Sequence, residues 1–186
     1  GNEENSSSKE EKELNIGMFI PNGSYEIKYD ASDFVSVYTY VKGNGTEYQI
    51  IGANGKGPYV DVYELKDDGI YKVYRGDLTE DEANNKDSVD YLDNRNNNEE
   101  TLILSSPIKV GTRWDNKEIV EVGENLKIGS LTLEGAYVKT WEKEESNGQK
   151  FVKVYYYSEG LGCVQHRVLL NDEIVEFSTV VEVNKK

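Results

Sequence analysis

Short turns of the kind that closes β-hairpins recur along this chain, and they constrain its fold more than any other feature. Asn44-Gly45, Asp68-Gly69, Asn147-Gly148 and Asn171-Asp172 each separate two segments rich in alternating apolar and polar residues. Asn-Gly and Asp-Gly supply the positive φ angles that two-residue hairpin turns require. A chain punctuated in this way is expected to fold as consecutive antiparallel strands.

The last four predicted strands run from Ala136 to Val183 and form a continuous meander. Alternate side chains of a strand share one face, so the two-residue period predicts which of them form the core. Trp141 is expected on the opposite face or over the sheet edge. The predicted core residues of this meander are Val152, Val154, Tyr156, Val164, Val168, Leu170, Val175, Phe177, Val181 and Val183.

One helix is predicted, within residues 80–93. Thr79-Glu80-Asp81-Glu82 has the capping-box pattern, in which Thr79 is the N-cap and Glu82 reaches back to it. The fold class expected for the whole chain is therefore mainly β: an antiparallel meander of about ten or more strands with one short helix. The sheet is expected to curve into a half-open barrel in preference to a sandwich.

The acidic residues are concentrated in two segments of the chain. Of the net charge of -14, residues 1–13 carry -3 and residues 77–100 carry -7. Residues 1–15 are expected to be a disordered tether, and 16–186 a single domain with halves at about 16–76 and 100–184, separated by an acidic insertion. Because such a surface repels phosphate groups, no nucleic-acid partner is expected.

The sequence contains few residues that could form a catalytic or metal-binding site. The only cysteine, Cys163, and the only histidine, His166, are three residues apart on a predicted strand, so alternation places them on opposite faces. They are too few for a structural zinc site, and no cofactor is expected. A hydrolase that uses a pair of carboxylates stays open as an alternative, because several acids lie on or beside predicted strands: Glu26, Glu47, Asp61 and Glu64.

Two sets of residues are candidate ligand sites. Pairs of tyrosines share strand faces and could stack on a sugar or bind a peptide: Tyr38 and Tyr40, Tyr59 and Tyr63, Tyr155 and Tyr157. The oxygen-rich insertion offers candidate calcium ligands in Asp87, Asp90, Asp93 and Glu99, although their spacing differs from that of an EF-hand. Half-buried packing of the tyrosines and a solvated acidic surface are the alternatives.

Five segments in order carry a resemblance to a known group of proteins: 38–48, 62–70, 100–114, 131–137 and 155–164. They include the pattern Pro107-x-x-x-Gly111-x-x-Trp114 and the hairpin Tyr156-Tyr-x-x-Gly-x-Gly-x-Val164. This order resembles a loosely defined group of uncharacterised lipoproteins from clostridia and related Gram-positive bacteria. The chain departs from the group at Cys163 and in the long acidic insertion. The group carries no agreed activity, so no functional residues transfer.

The resemblance implies an all-β domain that is extracellular and attached to the outer face of the cell membrane through a lipid anchor. Residues 1–13 contain no apolar residue, which suits a leash on a mature domain whose export signal has been removed, or an ordinary frayed terminus. The expected function is non-catalytic binding of a glycan or peptide, or an envelope-associated role. A carboxylate-dependent hydrolase of cell-wall or glycan material and a structural assembly module are the two alternatives.

Overall fold

A computed structural model of the protein describes residues 14–186, except the side chain of Phe34. It confirms the mainly β fold, because a single antiparallel sheet of twelve strands curls into a nearly closed barrel. The strands are β1 (Asn22–Ala31), β2 (Val35–Asn44), β3 (Glu47–Asn54), β4 (Gly57–Lys66), β5 (Gly69–Asp77), β6 (Thr101–Ser105), β7 (Arg113–Trp114), β8 (Lys117–Ile128), β9 (Leu131–Ser146), β10 (Gln149–Ser158), β11 (Gly162–Leu170) and β12 (Glu173–Lys185). Strands β1 to β6 each pair with the next strand in the chain, as do β7 to β12, and the first strand also pairs with the last.

The remaining regular structure is short. The α-helix α1 spans Glu80–Asn84, and single 3₁₀ turns span Ile16–Phe19, Ser32–Phe34 and Lys86–Ser88. The edge strands β6 and β7 are not paired with each other. Instead, the buried indole of Trp114 donates a hydrogen bond from Nε1 to the carbonyl oxygen of Leu102, at 3.2 Å. One side chain therefore bridges the seam of the barrel.

Residues 14–21 close one end of the barrel, which we call the plugged end. Phe19 is fully buried in the main core. The Gly160 amide donates to the Met18 carbonyl at 2.8 Å, and the Gly45 amide donates to the Pro21 carbonyl at 3.1 Å. Leu14 forms a bridge with Ile108, so ordered structure begins before residue 16; residues 1–13 of the predicted tether lie outside the described residues.

The barrel interior holds the main core, which is rich in tyrosine as well as aliphatic residues. Tyr48 and Tyr63 stack inside it with ring centroids 4.7 Å apart. Fully buried aliphatic side chains from opposite parts of the sheet surround them, which is the packing that gives a closed sheet its stability. These include Ile27, Leu104, Ile119, Val138 and Val164.

The predicted core of β12 is wrong at three positions, because two β-bulges interrupt the alternation. Val175 and Val181 are the extra residues of these bulges, and each shifts the pattern of its strand by one residue. Val175, Phe177 and Val181 are consequently 53%, 36% and 40% exposed. Val180 is buried in the interior in their place, while Val183 packs against the core as predicted.

The predicted core of β10 lies on the wrong side of the sheet. Tyr155 and Tyr157 point inward, because their cross-strand partners Thr140 and Val138 lie on the interior side of β9. Val152, Val154 and Tyr156 share one face as predicted, but it is the outer face, because alternation alone does not say which face is the interior. Val154 is nevertheless buried there, and Tyr156 is partly buried against the main core. Trp141 is paired with Val154 on the outer face, and the predicted burial of Val164 and Val168 is confirmed.

The acidic insertion covers the outer face of β2 to β5, and we call residues 78–100 the strap. The predicted capping box of Thr79 and Glu82 is present, but α1 has only five residues before the chain continues as a turn and loop. The apolar side chains of the strap pack on the sheet and form a second core. Its buried members are Tyr40, Ile51, Val60, Val62, Val73, Leu78, Val89 and Leu92.

Candidate functional site

An apolar groove lies on the outer face of β9, β10 and β11, and encloses a cavity of about 510 Å³. Trp141, Val154 and Arg167 form one row across the three strands, because each is the cross-strand partner of the next. Lys143, Val152 and Leu169 form the adjacent row. Apolar side chains from neighbouring strands thus make a continuous floor, with cations at its margins.

The apolar surface continues from the groove onto β12. Phe177 is the partner of Arg167, and Ile174 is the partner of Leu169. Ile174 is 53% exposed, so this side of the sheet presents large apolar side chains to solvent. Contiguous apolar surface of this kind is characteristic of an interaction site, whereas the corresponding outer face of β2 to β5 is covered by the strap.

The rim of the groove carries four cations and three acids. The acids, Glu144, Glu145 and Asp172, lie beside the hairpin turns at Asn147-Gly148 and Asn171-Asp172. The cations are Lys139, Lys143, Lys150 and Arg167. Within residues 14–186, none of these cations has an ion-pair partner within 4.0 Å.

Two of these cations lie over aromatic rings. The Lys143 ammonium lies 4.9 Å from the Trp141 ring, and the Lys139 ammonium lies 5.5 Å from the Tyr156 ring. Such contacts hold a cation beside an apolar surface without neutralising its charge. The groove can therefore contact apolar groups and anionic groups of one ligand at the same time.

The six candidate tyrosines do not form one surface. Tyr38 and Tyr40 lie on the outer face of β2, where Tyr38 is half exposed and Tyr40 is buried under the strap. The Tyr40 hydroxyl donates a hydrogen bond to Asp87, at 2.7 Å. This contact borders a second, more polar cavity between the strap, Glu26 and Lys186.

The other four candidate tyrosines point into the barrel. Tyr63 packs on Tyr48, and burial raises the pKa of its hydroxyl well above the ordinary value. Tyr155 and Tyr157 stack with ring centroids 6.3 Å apart, while the Arg75 guanidinium lies 4.6 Å from the Tyr59 ring. Most of these rings therefore pack inside the protein.

The four candidate calcium ligands are not gathered around one point. Asp87 accepts the hydrogen bond from Tyr40, Asp90 accepts one from the Leu92 amide at 2.9 Å, and Glu99 lies 3.5 Å from Lys72. Asp93 is exposed on the strap. Among residues 14–186, no group of three or more acidic, histidine or cysteine side chains has an arrangement that could hold a metal ion.

Two candidate catalytic carboxylates do face each other, but an arginine lies between them. Glu47 and Glu64 are cross-strand partners on β3 and β4. Arg95 of the strap donates to both, at 2.9 and 3.4 Å, and its side chain is only 7% exposed. This guanidinium fills the space that a substrate of a carboxylate pair would occupy. Asp61 is held by two hydrogen bonds from Arg75, at 2.6 and 2.8 Å.

The prediction that Cys163 and His166 lie on opposite faces is wrong. A bulge at Val164 lets Cys163 pair with Tyr157 and His166 pair with Tyr155, and these two tyrosines share the inner face. The Cys163 thiol contacts the Gln165 carbonyl at 3.6 Å, and burial raises its pKa to about 12. His166 stacks on the Tyr155 ring at 4.8 Å, and burial lowers the pKa of the imidazole. Both shifts favour the uncharged forms, which makes a thiolate nucleophile unfavourable.

The groove was not among the candidates predicted from the sequence. Its signal was present in the alternation of Lys139, Trp141 and Lys143 on one predicted strand, opposite Val152 and Val154 on the next. This pattern did not predict the groove, because Val152 and Val154 were assigned to the barrel interior. Once they are placed on the outer face, Trp141 has an apolar surface beside it.

Neither a scan against protein-family models nor a search of curated proteins finds a match for this chain. The resemblance to Gram-positive lipoproteins therefore stays a prediction. Across the residues that the structure describes, no helix combines the length and apolar character needed to cross a membrane.

Proposed function

We propose that this protein is a non-catalytic binding domain that docks a partner polypeptide in the groove on β9 to β11. The observation that carries the proposal is an apolar floor of Trp141, Val152 and Leu169 bordered by cations that have no ion-pair partners among residues 14–186. In keeping with the resemblance, we propose that it acts outside the cell, tethered to the outer face of the membrane.

The composition of the groove suits a protein partner. A tryptophan in a concave apolar surface is a frequent energetic centre of protein interfaces, especially when an arginine lies close by. Trp141 is flanked across the sheet by Val154 and then Arg167. The cavity of about 510 Å³ can hold a few side chains of a docked segment.

A displayed library of random peptides, selected against the intact domain, tests this function. We expect enriched peptides to lose at least tenfold in affinity for Trp141→Ala and for Leu169→Ser. Two separate variants are used so that a folding defect in one of them does not decide the result. Tyr38→Ala is the matched control, because Tyr38 is an exposed aromatic residue on the outer face of another strand.

The proposal is contradicted if every enriched peptide binds the two groove variants as tightly as the unaltered protein. Thermal unfolding followed by circular dichroism establishes that each variant retains the fold. Competition among the enriched peptides then shows whether they share one surface.

A further inference from the structure

We infer that the partner of this groove is an acidic polypeptide segment that carries two or three apolar side chains. This inference rests on the proposed function and narrows it, because it names the chemistry of the partner. It depends on two observations: the charges around the groove, and the way in which this sheet already binds a segment of its own chain.

The strap shows how an acidic segment packs on the outer face of this sheet. Its central sequence is Asp87-Ser-Val-Asp-Tyr-Leu-Asp93, which carries three acids and no cation. Val89 and Leu92 are buried against β2 to β5, whereas Asp90 and Asp93 stay exposed. Apolar side chains thus anchor the segment while its carboxylates remain at the surface.

Hydrogen bonds to its backbone hold the strap on the sheet. The Gln49 side-chain amide donates to the Val89 carbonyl and accepts from the Tyr91 amide, both at 2.8 Å. The Arg95 guanidinium donates to the carbonyl oxygens of Tyr91 and Leu92. The groove offers one comparable group, since Arg167 lies on the outer face of β11 and lines the groove beside the apolar floor.

The charge of the groove favours an acidic segment over a basic one. The chain as a whole carries -14, yet cations outnumber acids around this cavity. The three acids of the cavity lie at the hairpin turns, so Arg167 faces the part of the groove away from them, whereas Lys139 is the cross-strand partner of Glu121 on β8. An acidic partner would pair with these cations, while a basic partner would leave them unpaired beside like charges.

Three labelled peptides test the inference on the intact protein. The first has the sequence of residues 87–93, the second replaces its three Asp by Lys, and the third replaces Val, Tyr and Leu by Ser. We expect the first to shift the NMR signal of the Trp141 indole N–H and to bind at least tenfold more tightly than the other two. Its affinity should fall severalfold between 50 and 300 mM NaCl, because screening weakens exposed charge pairs.

Charge-reversal variants locate the binding. Lys143→Glu and Arg167→Glu should each weaken binding of the first peptide at least fivefold, whereas Lys56→Glu, in the exposed β3–β4 turn, should not change it. Equal binding of the lysine peptide overturns the acidic partner, and equal binding of the serine peptide overturns the need for apolar anchors.

The two proposals fail in distinguishable ways. Library peptides that bind in the groove but are neutral or basic overturn the acidic partner and leave the groove as a binding surface. Failure of the first peptide, together with the absence of any groove-dependent library peptide, overturns both. A glycan that shifts Trp141 while none of the peptides does so also overturns the inference.

Discussion

At the scale of single residues, burial controls the chemistry of the two side chains that most often serve as reactive groups. Cys163 stays a thiol because burial raises its pKa to about 12. His166 has its pKa lowered below 6.5, mainly by burial and also by Lys153, while Glu176 and Glu142 act in the opposite direction. Both residues are therefore better explained as part of the barrel interior than as a catalytic pair.

The single histidine allows a clean test of this description. A lowered pKa means that the folded protein binds a proton at His166 less readily than the unfolded chain does. The stability that His166 contributes is therefore complete above about pH 6.5 and is lost as the pH falls through its folded-state pKa. NMR titration should give a pKa below 6.5.

Denaturant unfolding between pH 7.5 and 5 provides the second measurement. The free energy of unfolding should fall less with decreasing pH in His166→Phe, which keeps a ring to stack on Tyr155, than in the unaltered protein. Identical pH dependence in the two proteins would show that the imidazole is not held in its neutral form.

Single residues also show where alternation fails as a guide. The faces of Cys163 and of Val181 depend on bulges, and a bulge has no clear signature in one sequence because it depends on how two strands pair. The alternation between turns correctly grouped Val152 with Val154. Which side of the sheet is buried is decided by the closure of the barrel, and that is not a local property.

At the scale of elements, the strap is the part of the chain whose role could not be predicted. Thr79 and Glu82 predicted the start of its helix, but the helix ends at Asn84, before Val89 and Leu92. Nothing in those residues says that they cover the outer face of β2 to β5. The contact depends on Gln49, a polar residue within a strand, whose partners lie about forty residues away.

Gln49 should therefore contribute more to stability than an ordinary strand glutamine. Gln49→Leu leaves the Val89 carbonyl and the Tyr91 amide without partners in a buried place, and should lower the free energy of unfolding by about 2–4 kcal/mol. Urea unfolding measures the loss. Hydrogen exchange should accelerate in the strap more than in β9 to β12.

Gln149→Leu is the matched control, because Gln149 is exposed at the start of β10 and should change stability by less than about 0.5 kcal/mol. Equal effects of the two substitutions, or unchanged exchange of the strap amides, would refute the role of Gln49.

At the scale of the whole molecule, contacts between distant parts of the chain close the barrel. The hairpin turns in the sequence predicted consecutive antiparallel strands, and a barrel was expected in preference to a sandwich. The structure confirms both expectations. The pairing of β1 with β12, the plug of residues 14–21 and the bridge from Trp114 to Leu102 were not predicted. Each joins segments far apart in sequence, so local patterns carry no signal of it.

Phe19 tests the contribution of the plug. Its side chain is fully buried in the main core, so Phe19→Ala should lower the free energy of unfolding by about 3–5 kcal/mol through lost burial and the cavity left behind. Denaturant unfolding measures this value. Phe151→Ala, at a partly exposed residue of β10, should cost distinctly less. Similar losses at the two sites would mean that residues 14–21 add little to the stability of the barrel.

The plug also sets the direction in which the domain can present its groove. Leu14 is fixed beside Ile108 at the plugged end, whereas the groove extends towards the hairpin turns Asn147-Gly148 and Asn171-Asp172 at the opposite end. If the domain is attached through its amino terminus as proposed, the membrane would lie on the side of the plug and the groove with Trp141 would extend away from it. A partner arriving from outside could then reach the groove without first passing between the domain and the bilayer.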